Sequence, residues 1–398
     1  MQAVNLIVVS PLKCVPRGDN RVLLTRKFME GMSLYKEYWK GPVTLLCEPS
    51  DRVSDNLDNC EVDLSRAPFQ LISTTLRRNS HRTAFSPPSL MLAAIQFTHC
   101  SQWARSMGIP CVYVTEYSLR TRLEIMREER PPVVRRAWRS WYERRLEIAQ
   151  RKALALADGV QCNGVPTYRD YQSLTRRPML FFDTRVEESQ LATPAKIHHR
   201  WTRFARDGKL RLVFSGRLNR MKGVQQLPVV AAHLKRLGVR FELFICGDGE
   251  LMPDLRASVA QLGLSDCVTL RGALEFKSEL VPFVTGETDL FVCCHPQGDP
   301  SCTYLETMGC GVPLVGYSNE AFQGLSETSG TGWVTPMNRP RELAERIASI
   351  ARDAEALLLA SRRSLEFARE HTFEKTFRRR IDHLDQIAEF RQNRLKMV

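Results

Sequence analysis

The chain has 398 residues, 43% hydrophobic and 25% charged, with a formal net charge of +13. That length exceeds one ordinary hydrophobic core, so two domains are expected, and the composition excludes a disordered chain. The charge calls for an anionic partner and leaves nucleic acid, anionic lipid and a nucleotide-activated substrate open.

The opening stretch MQAVNLIVVSPLKC has no basic leader before its apolar run, so Asn5–Ser10 reads as a strand and not as a signal peptide. Short apolar runs recur at Val43–Cys47, Gln70–Ser73, Cys111–Thr115, Gly159–Asn163 and Met179–Phe182. Helices are predicted between them at Val22–Lys36, Ser89–Met107 and Val133–Leu156. This alternation is that of a doubly wound α/β sheet, and it defines a first domain over 1–185. From residue 184 the pattern breaks into a polar, basic stretch that predicts an interdomain linker over 186–208, closed by the turn pair Asp207-Gly208.

A second domain follows over 209–371. Its predicted strands are Leu210–Ser215, Arg240–Cys246, Cys267–Arg271, Asp289–Cys293 and Pro313–Gly316. Its predicted helices are Gly223–Leu237, Glu250–Leu262, Phe276–Val284, Ser301–Met308 and Pro340–Asp353. The tail over 372–398 predicts one more helix. No stretch reaches the roughly 20 apolar residues that span a bilayer. The twelve cysteines show neither framework nor metal-ligand spacing and read as buried thiols in a reducing, cytoplasmic setting.

Two segments carry chemistry. In LVFSGRLNRMKG (212–223) an apolar strand stops at Gly216 and places Arg217 and Lys222 around a turn into a helix. In QGDPSCTYLETMGCGVP (297–313) a polar loop leads into a helix. There Ser301, Cys302 and Thr303 offer first-turn amides, and Glu306 lies among apolar neighbours. Cations at a strand end and a helix N-terminus suit a nucleoside diphosphate, and a carboxylate nearby suits ribose hydroxyls. Breaking a sugar–phosphate bond leaves extra negative charge, which fixed cations and amides can stabilise. There is no D-x-D motif at a strand end, so cations are expected in place of a metal, and no cofactor is expected. The turn Gly247-Asp248-Gly249 after a strand permits close backbone approach.

The run G-R-L-x(4)-K-G, then I-C-G-D-G-E at 245–250, then Y-L-E-T-M-G-C-G-V-P-L-V at 304–315 resembles the retaining family 4 glycosyltransferases. That resemblance implies the GT-B fold, two Rossmann-like domains facing across a cleft, with the last helix crossing back onto the N-terminal domain. It implies that Arg217 and Lys222 hold the diphosphate and that Glu306 takes the ribose. Gly216, Gly247, Asp248 and Gly249 line the donor site, and the loop Gly272–Glu275 faces the base. His295 reaches towards the donor sugar. The family's pair of glutamates eight positions apart is broken here, because Gly298 stands eight before Glu306. Asp299, one place later, is the candidate replacement, with a role confined to the sugar.

In the N-terminal half, strand Cys111–Thr115 ends in Glu116-Tyr117. A carboxylate there suits either the positive charge developing on a sugar ring or a helix cap. The loop Pro16–Asn20 resembles the family's acceptor-facing loop. Ser118–Lys152 interleaves arginines with Trp138, Trp141 and Tyr142, which suits either an anionic membrane surface or, through Glu143 and Glu147, a salt-bridged packing helix.

The expected function is sugar transfer from a nucleotide-sugar donor to a glycan or lipid-linked saccharide in surface polysaccharide synthesis, at the inner face of the cytoplasmic membrane. A nucleotide-sugar epimerase of the same fold and a nonenzymatic basic nucleic-acid-binding protein are the alternatives. No nucleic-acid-binding motif supports the last.

Overall fold

The computed structural model describes residues 3–53, 58–75 and 88–396. The first domain runs β1 (Asn5–Val9), β2 (Val15–Pro16), β3 (Arg21–Thr25), α1 (Arg26–Tyr38), β4 (Val43–Cys47), β5 (Asn59–Asp63), β6 (Gln70–Ser73) and β7 (Ser89–Ala94). It continues with α2 (Cys100–Ser106), β8 (Cys111–Thr115), α3 (Leu119–Glu128), α4 (Val133–Ala155), β9 (Gly159–Asn163), α5 (Val165–Tyr171) and β10 (Pro178–Phe181). Seven strands form one parallel sheet in the order β10-β9-β8-β7-β1-β4-β6. A small antiparallel sheet, β2-β3-β5, lies beside it.

The second domain follows α6 (Pro194–Asp207) with β11 (Leu210–Ser215), α7 (Leu227–Arg236), β12 (Phe241–Cys246), α8 (Met252–Gln261), β13 (Val268–Gly272), α9 (Val281–Glu287), β14 (Leu290–Cys293) and α10 (Cys302–Gly309). It ends with β15 (Leu314–Tyr317), α11 (Glu320–Ser329), β16 (Trp333–Thr335), α12 (Pro340–Ile350) and α13 (Ala354–Glu370). The sheet is parallel in the order β13-β12-β11-β14-β15-β16. Its central strands are buried along almost their whole length because helices cover both faces. Strand order reverses between β11 and β14, and the loops leaving their carboxyl ends flank the crevice where doubly wound sheets take ligands.

Three sequence expectations change. Val22–Lys36 is not one helix: its first residues extend β3, which pairs with β5, and α1 starts at Arg26 with Thr25 accepting from the Phe28 amide. The expected helix Ser89–Met107 is instead the buried strand β7, a turn, and the short α2. A short apolar run fits both periods, and the vacant place between β1 and β8 decides for strand. Most of the expected linker is α6, capped by Thr193 and closed by Gly208 at φ 61. Arginine hides its buried stripe of Ile197, Arg200 and Phe204. The Arg200 guanidinium is buried because it donates to the carbonyls of Val284, Thr285, Cys310 and Gly311.

The last helix, α14 (Phe373–Lys396), packs on the first domain. Phe377, Ile381, Leu384 and Ile387 join the core built by Leu6, Met32 and Leu45. Arg380 Nε donates to Gln161 Oε1 at 2.9 Å, and Gln161 Nε2 donates back to the Arg380 carbonyl at 2.8 Å.

Candidate active site

The loop after β11 is locked against its neighbours by backbone contact. The Leu218 amide donates to Asp248 O at 2.9 Å, and a Cβ at Gly247 would stand 1.9 Å from Gly216 O. Only glycine fits there, so the two turns sit together at the sheet's edge. Asn219 then caps the turn Arg220–Lys222. Gly223 follows at φ 66, so close to the loop after β14 that a Cβ would lie 1.9 Å from Cys294 O. These contacts bury Lys222 and aim its ammonium at the Asp299 carboxylate and at Ser301 Oγ, 3.0 Å away.

The loop after β14 is equally fixed. Gln297 accepts from the Asp299 amide at 2.6 Å and donates to Met221 O at 3.0 Å, joining the two donor-side loops. Burial pushes the Asp299 carboxyl up, but the Lys222 charge and hydrogen bond outweigh it, with Arg217 adding to them, and leave it below its ordinary value. Ser301 stands at the cap position of α10, yet its side chain makes no cap hydrogen bond there because Lys222 takes the hydroxyl. Thr303 is buried in the first turn, and burial raises the Cys302 thiol to about 12, so it stays neutral. His295 is buried with Nδ1 2.8 Å from Tyr304 Oη, and burial followed by the Lys222 charge holds its pKa down at about 3. Asp248 and Gly249 lie exposed at the rim.

Glu306 is buried, and its partner was not legible in the sequence. Arg185, in the connection between the domains, grips it bidentately, Nε to Oε1 at 2.7 Å and Nη2 to Oε2 at 3.2 Å. Burial alone would raise this carboxyl; the Arg185 charge and hydrogen bond bring it below its ordinary value. Arg185 also stacks on the Phe276 ring, 4.1 Å from its centroid. A second pair, Lys27 with Asp183, lies beside it, and the Lys27 charge reaches both Glu306 and Glu116. The sequence had placed Lys27 inside a helix, with no signal for a cleft role.

Glu116 stands at the carboxyl end of β8 and faces the solvent of the cleft. Its carboxyl is raised to about 7, first by desolvation between the cleft walls, then by the charges of Asp299 and Asp183, against Lys27 and Lys222. Glu116 is itself exposed, so solvation works against that shift, and a bound sugar would exclude the solvent. Glu116 and Asp299 come from different domains, so the structure brings them together across the cleft.

The glutamate that the family pattern wants at 298 has no room. A Cβ there would lie 2.5 Å from Glu320 Cγ and 2.7 Å from Thr121 Oγ1. Thr121 Oγ1 contacts both the Gly298 carbonyl at 3.2 Å and Glu320 Oε1 at 2.8 Å, and Ser118 donates to the same carboxylate, so the first domain seals this loop.

Residues 196–365 match the family model for glycosyl transferases group 1. The second domain is a glycosyl transferases group 1 domain. The α-D-kanosaminyltransferase of Streptomyces kanamyceticus is 30% identical over 153 residues, 38% of this chain and 39% of that protein. The putative colanic acid biosynthesis glycosyltransferase WcaL of Escherichia coli (strain K12) is 29% identical over 172 residues, 41% of each chain. The chain thus spans about two fifths of the length of these curated relatives. The crystal structure of Anabaena Alr3699/HepE in complex with UDP superposes with a TM-score of 0.65 at 15% identity, covering 95% of this chain and 98% of that one. A likeness at that identity speaks for the fold, and the fold is GT-B: the group 1 domain sits opposite a second Rossmann-like domain across the cleft.

Proposed function

We propose that this chain is a glycosyltransferase that moves a sugar from a nucleoside diphosphate donor to a glycan or lipid-linked saccharide in surface polysaccharide synthesis, with retention and without a metal. One observation carries the reading. Lys222, Asp299 and Ser301 meet at the start of α10 on the switch point of a group 1 domain, with Arg217 on the same loop and Glu306 within the helix. The α10 amides and the two cations suit the diphosphate, and Glu306 suits the ribose. Asp299 pairs with Lys222, and an incoming phosphate would compete for that ammonium.

As the bond between the sugar's anomeric carbon and the phosphate oxygen breaks, negative charge grows on the diphosphate and positive charge on the ring. Lys222, Arg217 and the α10 amides meet the first, and ionised Glu116 meets the second from the opposite wall. The cation supply favours metal-independent chemistry, since the leaving group already has fixed positive charge. The WcaL relative is named for colanic acid biosynthesis, and HepE was crystallised with UDP, which supports both the setting and the donor class. Thermal-shift screening of UDP, GDP and ADP and their sugars tests the reading, because a bound donor raises the melting temperature with its concentration. No stabilisation by any nucleoside diphosphate would sink it.

A further inference from the structure

Helix α4 has two unlike halves. Its inner, carboxyl-terminal side is pinned by Arg122 of α3, which donates to Glu143 and Glu147 at 2.8 Å each and to Gln150 at 2.7 Å. Glu147 also accepts from Arg151 at 2.7 Å and from Tyr171 Oη at 3.0 Å. The other half projects: every residue from Val133 to Trp138 is exposed. Val134 is 83% exposed, Trp138 62% and Trp141 54%, with Tyr142 and Ile148 exposed beside them.

Positions 134, 138, 141, 145 and 148 fall at helical spacing, so Val134, Trp138, Trp141, Arg145 and Ile148 share one outward stripe. Trp138 stacks on Tyr142 with centroids 5.8 Å apart, and Arg145 lies over the Trp141 ring at 5.2 Å. Arg135, Arg144 and Lys152 flank this stripe, all exposed. The two acids of the helix, Glu143 and Glu147, turn inward to Arg122, so the outer face presents cations and apolar rings without a counter-charge from its own helix.

We propose that this face of α4 docks on the headgroup layer of an anionic lipid bilayer, with Trp138 and Trp141 inserted at the interface and the arginines on the lipid phosphates. The charge pattern selects the occupant. A second copy of the chain would set like charges against each other. A nucleic acid would satisfy the arginines but gain nothing from Val133, Val134 and Ile148, whereas a lipid interface takes both kinds of group. The placement fits a surface-bound acceptor: α3 carries Ser118 and Thr121 into the cleft seal at one end and anchors α4 through Arg122. Docking does not depend on the sugar-transfer reading and is measured without any donor.

The test is sedimentation of the full chain with phosphatidylcholine vesicles and with mixed phosphatidylcholine–phosphatidylglycerol vesicles, with tryptophan emission followed in parallel. Strong binding is expected to the mixed vesicles alone, with emission moving to shorter wavelength and with binding weakening as salt rises. Arg135→Gln, Arg144→Gln and Arg145→Gln should each weaken partitioning about fivefold. Trp138→Ala with Trp141→Ala should lower binding by about tenfold or more. The paired Trp→Phe variant should keep binding but lose the emission change. These side chains are exposed, so melting and nucleoside diphosphate binding should match the parent. Equal binding to neutral vesicles, parental binding by the alanine and glutamine variants, tighter binding to duplex DNA than to the mixed vesicles, or a dimer broken by the same substitutions would overturn the proposal.

Discussion

Replacing Lys222 by alanine separates what the cation does for the fold from what it does for the reaction. From the sequence, this lysine reads as one removable at little cost in stability. The structure buries it against Asp299, itself buried, so Lys222→Ala strands a carboxylate in a poorly hydrated loop. Breaking one side of a buried pair costs about 3–5 kcal/mol. The Arg217 charge, which also favours the Asp299 carboxylate, remains, and this places the expected loss at the lower end of that range. The sign with pH follows from the carboxyl. In the parent, Asp299 is held below its ordinary value, so the stability it contributes is present above the ordinary carboxylate range and fades as pH falls through the lowered value. In the variant burial acts on the same carboxyl with the Lys222 charge and hydrogen bond gone, so the penalty should be largest near neutrality and shrink as acid neutralises it. The double variant Lys222→Ala with Asp299→Asn removes the stranded charge and should recover most of the melting temperature. It should not recover turnover, because the leaving diphosphate still lacks a cation worth about 2–4 kcal/mol in the transition state. Calorimetric melting across pH, with turnover on the donor found by screening, gives both numbers. A double variant that regains turnover, or a single variant that melts like the parent, would refute the pairing argument.

Glu306→Gln should weaken nucleoside diphosphate binding by roughly 1–3 kcal/mol through lost ribose hydrogen bonds, and it should erase the preference for UDP over its 2′,3′-dideoxy analogue in titration calorimetry. Asp299→Asn should reduce turnover and, because Asp299 holds Lys222, also shift nucleoside diphosphate affinity; unchanged affinity would show that the pair opens before the donor binds. If ionised Glu116 meets the ring charge, turnover should rise with pH through about 7, and Glu116→Gln should flatten the profile at a low plateau. A parental profile in that variant would remove Glu116 from the reaction. Turnover should survive EDTA; complete loss restored by magnesium or manganese would contradict the cation-based account.

The sequence determined what short-range pattern can determine. Strand and helix alternation announced two doubly wound sheets. The order G-R-L…K-G, G-D-G, then L-E-T-M-G-C-G pointed to one kind of domain, because those glycines and cations are set by local turn geometry that every such domain must build. Where periodicity was ambiguous, tertiary context decided: SLMLAA fits a helix as well as a strand until β1 and β8 leave a place for it. The linker looked structureless because Arg200 occupies an apolar stripe, a choice that makes sense only beside four carbonyls from distant segments. The partners of the site were likewise out of reach. Arg185 meets Glu306 across 121 positions, Lys27 meets Asp183 across 156, and Thr121 of the first domain reaches the Gly298 carbonyl across 177. A chain can encode its own turns in neighbouring residues, but pairing two buried charges requires both to lose water in one place, and only the folded molecule brings them there.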